Sequence, residues 1–358
     1  MFWRKRKKAS IAAVSQPGIS IKFYNTQVHT DTVVFVHGIL GHYVNTWGLF
    51  PKLLSEDPDL PELDVLLWGY RTGWIKRHHE LKYEGQHLAT SLQTLVRPNN
   101  ELFLVGHSMG GLIILRGLVD RMILGQAQVA PCKSVCWITL FASPLNGAWT
   151  AGVIRIVVYP LLRLIGTLYR HLRDLSRGVF VDTLMAEVVN RIYRPAVEDN
   201  ANRKIPIRIV AATRDGAVDK ANRDASLALY RDPAALQLDE DHSSVKLPAH
   251  IGDLRYRVLF NDLQIGFTRK FTTLSAIAID PVATKDQREA ALSEIHQRYQ
   301  RIIRRRVRDV ASRVDMHESA ENEFLLLMAF DGATKNLPPF DAANRAMVVL
   351  TARHKNWQ

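Results

Sequence analysis

The chain has 358 residues, of which 47% are apolar, and a formal net charge of +12. Such a length and apolar share admit two domains or one large α/β domain with additions, and exclude a disordered chain. The two cysteines, Cys132 and Cys136, make neither a disulfide framework nor a zinc-ligand pattern, and no apolar run is long enough to span a membrane.

Much of the charge lies in Arg4-Lys5-Arg6-Lys7-Lys8, next to Phe2 and Trp3 and ahead of the first acid, Asp31. Residues 1–18 read as a solvated basic tail, with contact to an anionic lipid surface as the alternative. The apolar stretch Ile11 to Val14 is too short for a secretory signal. The expectation is a cytoplasmic protein with, at most, peripheral contact to a membrane. Positive charge without a motif is no argument for nucleic acid, and none is expected as a partner.

Ile19 to Tyr24 reads as an edge strand. Thr32 to Val36 is nearly continuous in apolar residues, as a buried parallel strand is. It runs into His37-Gly38-Ile39-Leu40-Gly41-His42. A His-Gly loop directly after a central strand can turn a backbone N–H, that of Ile39, toward a developing oxyanion; a plain β-turn is the bland reading. Trp47 to Ser55 reads as a helix and Asp64 to Trp68 as the next strand. The loop Gly69 to Tyr83, with His78 and His79, and His87 beyond it, shows no persuasive metal-ligand spacing. No metal and no cofactor is expected. Leu88, Leu92 and Leu95 mark the buried face of a helix.

The stretch around which the rest is organised follows. Leu102 to Val105 is a buried strand, Gly106-His107-Ser108-Met109-Gly110 fits G-x-S-x-G, and an apolar-periodic helix runs from Leu112 to about Leu124. Strand, sharp turn and helix are the setting in which that motif lifts a serine hydroxyl clear of a sheet. Ser108 is therefore the candidate nucleophile, and Met109 N–H, at the helix N-terminus, the second oxyanion donor. Ser134 to Phe141 is another buried strand, ending in Ala142-Ser143-Pro144-Leu145-Asn146-Gly147. Alternation of strands and helices predicts a doubly wound, mostly parallel α/β sheet.

From about residue 149 to 203 that rhythm breaks. The apolar stretch with Ile154, Val158, Leu161 and Ile165, split by Pro160, reads as a helical lid whose apolar face, together with Leu40, takes an acyl chain or touches a membrane surface. Core packing of a cap is the other reading. Ile205 to Ala212 resumes the sheet and leads to Asp215 on a glycine turn, the place for an acid that orients an imidazole; Asp219 is the fallback. A short strand, Ala235 to Leu238, precedes Asp239-Glu240-Asp241-His242. The order Ser108, Asp215, His242 is that of the hydrolase elbow enzymes, not of chymotrypsin or subtilisin. Asp239, Glu240 and Asp241 read as solvated.

Beyond Gly252 the composition changes. Leu254 to Phe260 and Phe267 to Ile279 are rich in β-branched and aromatic residues and read as strands. Thr284 to Gln287 fits a capping box, and Leu292 to Val314 is a long amphipathic helix whose polar face carries Arg301, Arg304, Arg305, Arg306 and Arg308. That face is read as solvated, with an acidic partner or lipid as the alternative. Residues 253–358 are expected to form a small α+β extension of unassigned role, and residues 19–252 the catalytic domain.

These motifs resemble the α/β-hydrolase superfamily, and within it the lipase-like group that includes the GPI inositol-deacylase and the SERAC-type serine esterases. The resemblance is carried by Val36-His37-Gly38-Ile39-Leu40-Gly41 with Trp47, by Gly106 to Gly111, by Phe141 to Gly147, by Asp215-Gly216-Ala217-Val218 and by His242-Ser243-Ser244-Val245-Lys246-Leu247-Pro248. It covers roughly residues 19–252. It departs at Ala142-Ser143-Pro144-Leu145-Asn146-Gly147, where lipases often carry Thr-Pro-His-x-Gly. The resemblance implies a serine hydrolase acting on carboxylic esters of acyl or lipid-like compounds. An acyltransferase, or a silent hydrolase-fold scaffold, would use the same residues for other ends.

Overall fold

The computed structural model describes residues 13–16, 19–23, 31–39, 41–70, 81–95, 100–127, 129–145, 178–193, 204–215, 235–311 and 318–355. Leu40, Ile154, Val158, Leu161, Ile165, Asp219 and the basic run Arg4 to Lys8 lie outside the described residues.

The chain divides into two compact units. The first holds Met1–Leu53 and Asp64–Leu259; the second holds Leu54–Leu63 and Phe260–Gln358.

The first unit is built on an eight-stranded sheet. Its strands are β1 (Ala13–Gln16), β2 (Ile19–Phe23), β3 (Asp31–Val36), β4 (Asp64–Tyr70), β5 (Glu101–His107), β6 (Val135–Phe141), β7 (Ile207–Ala212) and β8 (Ala235–Leu238), in the spatial order β1-β2-β4-β3-β5-β6-β7-β8. The six strands from β4 to β8 run parallel, and β1 and β2 extend the edge antiparallel. β1 lies inside the stretch read as a tail. The parallel strands are apolar almost throughout because helices cover both faces; every residue of β3 and of β6 is buried.

Among the described residues the α-helices of this unit are α1 (Phe50–Glu56), which continues past its boundary, α2 (Leu81–Leu95), α3 (Met109–Ile123) and α4 (Gly178–Val188), the last closing in a π-helical turn at Val189–Tyr193. Leu88 and Leu92 of α2 are buried as their spacing predicts. α2 and α3 cross at a glycine pair: a Cβ on Gly117 would stand 2.5 Å from Gly85 O, so a larger residue would push the helices apart. On the sheet face near α1, Phe35 meets Trp47 (centroids 4.7 Å apart) and Phe50, and Phe50 meets Phe141 and Tyr256. α4 falls in the stretch read as a lid, yet Leu184, Met185, Val188 and Ile192 are buried in the same core as β5, β6 and α3.

Strand order decides where chemistry can happen. β4 lies on one side of β3 and β5 on the other, so the loops leaving β3 and β5 diverge and open a crevice at their carboxyl ends. The His-Gly loop and Ser108 both lie there.

Among its described residues the second unit holds helices and no strand, which corrects the α+β expectation. Leu254 to Phe260 and Phe267 to Ile279 are not strands but one helix, α5 (Leu254–Ile279). Tyr256, Leu259, Leu263, Phe267, Phe271, Leu274 and Ala278 are buried at steps of three and four, and that period outweighs the strand-like composition. α6 (Lys285–Ala311) starts at the expected capping box: Gln287 N–H donates to Thr284 Oγ1 at 3.2 Å and Thr284 N–H donates to Gln287 Oε1 at 2.9 Å. α7 (Glu318–Lys335) and α8 (Pro339–Lys355) complete the unit. Tyr299, fully buried, sits at a break in α6, where its ring meets Phe271 edge-on and its hydroxyl donates to Phe267 O. The arginine face is partly occupied within the unit. Arg301 donates to Ser55 O (3.1 Å), Arg305 pairs with Asp59 (3.1 Å), and Arg306 lies over the Phe340 ring.

Candidate active site

β5 ends at His107 and α3 begins at Met109, so one residue must turn the chain. Ser108 does so with φ 53° and ψ −126°, a left-handed conformation that costs about 1–3 kcal/mol for a residue with a side chain. Neighbouring contacts hold it there. Ser108 N–H donates to Phe141 O (2.9 Å) and Gly111 N–H donates to Ser108 O (3.1 Å). The turn is tight because its glycines let backbone meet backbone. A Cβ on Gly106 would lie 2.6 Å from Gly111 Cα, and one on Gly110 would lie 2.1 Å from Val36 O. The first turn of α3 is thereby seated against the end of β3, and its N-terminal N–H groups face the crevice end of the sheet.

The His-Gly loop lies beside the serine. A Cβ on Gly38 would stand 2.8 Å from Ser108 Cβ and 3.0 Å from His107 O. His37 braces the loop. Its Nδ1–H donates to Gly38 O at 2.8 Å, its Nε2 accepts from Tyr70 N–H at 3.4 Å, and its ring stacks on Tyr70 at 4.5 Å. Tyr70 O–H in turn donates to His37 O. Burial holds the His37 pKa down to about 4, so the imidazole is neutral at physiological pH, as this bonding pattern requires. Ile39, the expected oxyanion donor, is half-buried at the head of the loop.

The other two expected residues come together at the ends of β7 and β8. His242 Nδ1 and Asp215 Oδ2 are 2.9 Å apart, with the Asp215 side chain 2% exposed and that of His242 23% exposed. The loops that carry them are tied to each other: Thr213 N–H donates to Leu238 O and Arg214 N–H donates to Glu240 O. The His242 ring lies 4.8 Å from that of His107, the residue before Ser108.

The three acids before His242 are not merely solvated. Asp239 pairs with Arg214 and accepts from Thr213 Oγ1. Glu240 accepts from Ser244 Oγ and pairs with Arg255. Asp241 Oδ1 accepts the N–H groups of Ser243 and Ser244, and these bonds hold its pKa below the usual carboxylate range. Sequence reasoning also passed over His107 and Lys246. Both are buried next to this loop, and the only sequence signal was their place inside the two motifs.

With the Ser108 turn after β5, Asp215 after β7, His242 after β8 and the strand order given above, the architecture is decided. The chain has the α/β-hydrolase fold.

A family model described as "Putative serine esterase (DUF676)" matches residues 26–157 of this chain. The match takes in the His-Gly loop, the elbow and β6, and ends before Asp215 and His242. No curated protein sequence matches the chain. Among solved structures, mouse alpha/beta hydrolase domain-containing protein 10 is similar at 14% identity, with 71% of this chain and 100% of that chain covered and a TM-score of 0.45. The monoacylglycerol lipase of Paleococcus ferrophilus is similar at 16% identity, covering 68% and 98%, with a TM-score of 0.43. A Pyrococcus furiosus esterase is similar at 14% identity, covering 72% and 90%, with a TM-score of 0.40. Among the described residues no helix is long and apolar enough to cross a membrane.

Proposed function

We propose that the protein is a serine hydrolase that cleaves carboxylic esters of acyl or lipid-like compounds through an acyl-enzyme. Ser108 Oγ attacks the ester carbonyl while His242 Nε2 takes its proton. The carbonyl oxygen becomes an oxyanion held by the N–H groups of Met109 and Ile39. The tetrahedral intermediate collapses, the C–O bond to the alcohol breaks, and His242 returns the proton to the departing alkoxide. Water then repeats the sequence on the acyl-enzyme, with His242 again base and then acid, and releases the carboxylic acid. Asp215 holds the imidazole with its proton on Nδ1 and stabilises the imidazolium in each half-reaction. The observation that carries the reading is the 2.9 Å contact between buried Asp215 and His242, on the loop beside the strained Ser108 turn.

The preference for acyl or lipid-like substrates rests on the apolar sequence around Ile154, Val158, Leu161 and Ile165 and on Leu40. Peripheral contact with anionic lipid is proposed through Arg4 to Lys8; sedimentation with anionic vesicles that is salt-sensitive supports it, and unchanged sedimentation at low salt refutes it.

The test of the function is labelling by a fluorophosphonate probe, wild type beside Ser108→Ala. Labelling that vanishes in the variant is the expected result. A folded wild type that takes no label overturns the mechanism in favour of a silent scaffold. Product analysis with a competing alcohol separates hydrolysis from acyl transfer.

A further inference from the structure

The loop that carries His242 presents three consecutive backbone carbonyls, and each meets a basic side chain from a different place in the sequence. His107 Nε2–H donates to His242 O at 2.8 Å, Lys246 Nζ donates to Ser243 O at 2.7 Å, and Arg255 Nη1 donates to Ser244 O at 3.2 Å. Arg255 is itself fixed by a two-pronged contact to Asp253 and an ion pair to Glu240. We propose that His107, Lys246 and Arg255 are positioning residues, a clamp on the carbonyls of residues 242–244 that sets where the His242 imidazole stands with respect to Ser108. The proposal rests on the triad reading of Ser108, Asp215 and His242.

Two features separate a clamp from ordinary packing. The first is His107. It adjoins the nucleophile in sequence and bonds to the backbone of the histidine, so one residue links the serine turn to the base. Burial and the nearby Lys246 charge keep its pKa well below the usual imidazole range. Neutral, with a carbonyl opposite Nε2, it carries its proton there.

The second is Lys246, which is 7% exposed. Its stem would suit an apolar side chain, yet its ammonium is kept in a place where burial lowers its pKa to about 8, partly offset by Asp241. An isolated cation gains nothing from such a site. Its gain here is a charged donor on the carbonyl next to the base. Exchanging that ammonium for an apolar side chain of similar shape removes the cost of burying its charge, while Ser243 is exposed and its carbonyl can turn to water, so the clamp predicts that stability and turnover move apart.

The experiment compares Lys246→Met, His107→Leu and His107→Gln with wild type in the full chain. The readouts are thermal unfolding, kcat and KM on p-nitrophenyl butyrate, and the rate of fluorophosphonate labelling. A displaced catalytic group costs about 100-fold in rate for about 1 Å. Lys246→Met and His107→Leu are therefore expected to lose about 10- to 100-fold in kcat and labelling rate, with KM changed less than about threefold and the Lys246→Met midpoint unchanged or raised. His107→Gln, whose amide N–H can reach the same carbonyl, is expected to recover most of the loss. Turnover within about threefold of wild type in folded Lys246→Met overturns the clamp, and so does a His107→Gln variant as slow as His107→Leu. If His107→Leu does not fold, Lys246→Met decides alone. A wild type that is never labelled overturns the triad reading and the clamp with it. A labelled wild type with indifferent clamp variants overturns the clamp alone.

Discussion

Asp215→Asn tests the proposed mechanism where it is most quantitative. The variant keeps the volume of a side chain that is 2% exposed and 2.9 Å from His242 Nδ1, so the fold is expected to survive. What it removes is a negative charge that matters only once His242 has taken the serine proton. Allowing for delocalisation, the charges of carboxylate and imidazolium are centred about 4 Å apart, and at an effective dielectric of about 20 their attraction is about 4 kcal/mol. At about 1.4 kcal/mol per decade that is about 1,000-fold in rate. A second loss adds to it. An amide N–H that donates to Nδ1 moves the imidazole proton to Nε2, where it faces the serine and blocks general-base action, which takes the expected loss in kcat to about 1,000- to 10,000-fold. The assay is turnover of p-nitrophenyl butyrate together with fluorophosphonate labelling and a thermal melt. A folded variant that keeps kcat within about tenfold of wild type refutes the assignment of Asp215, since a water-screened pair would be worth only that much.

Other expectations follow from the same geometry. Gly38→Ala places a methyl 2.8 Å from Ser108 Cβ; the loop must shift, and kcat is expected to fall about 100-fold through the displaced oxyanion donor, so an unchanged kcat would remove this loop from the site. Glu84 is 3% exposed, and burial raises its pKa to about 7 from 4.5. Between those values the unfolded chain releases the proton while the folded chain keeps it, so wild type loses about 3 kcal/mol of stability as pH rises through that window. Glu84→Gln should therefore gain on wild type by about that amount between pH 4.5 and pH 8 in urea unfolding, and a pH-independent difference would contradict the buried acid. His37, whose lowered pKa makes stability rise with pH from about 4 to 6.5, contributes equally to both proteins and cancels. Gly332→Ala puts a Cβ 2.5 Å from Phe271 Cε1 in the helical unit, with an expected loss of about 1–3 kcal/mol by chemical denaturation.

Most of the sheet was legible in the sequence because buried parallel strands are short apolar runs that identify themselves. Val135 to Phe141 and Ala235 to Leu238 were read within a residue of their observed bounds. The elbow was legible because strand, glycine turn and helix are contiguous. The C-terminal region was misread where composition and period disagreed. Phe267 to Ile279 is rich in β-branched and aromatic residues, but its buried positions repeat every three or four, and a 26-residue helix satisfies that period. The arginines of α6 were read as a solvated or docking face because their partners, Ser55 and Asp59, lie 246 residues away in sequence.

The sequence by itself determined where most strands end and which candidate site residues follow them, since the strand period, the glycine turns and the order Ser108, Asp215, His242 are local or linear properties. Only the tertiary structure decided that β4 and β5 flank β3, which opens the crevice beside Ser108. It alone brought Asp215 Oδ2 to 2.9 Å from His242 Nδ1. It also assigned Asp239, Glu240, Asp241, His107, Lys246 and Arg255 to holding the loops around that pair. The links between the loops depend on hydrogen bonds between segments far apart in the chain, such as the 135 residues between His107 and His242, whereas those of Asp241 and Lys246 close within the loop itself. Burial makes such bonds necessary, because a carbonyl or ammonium withdrawn from water must find its partner wherever the fold brings one.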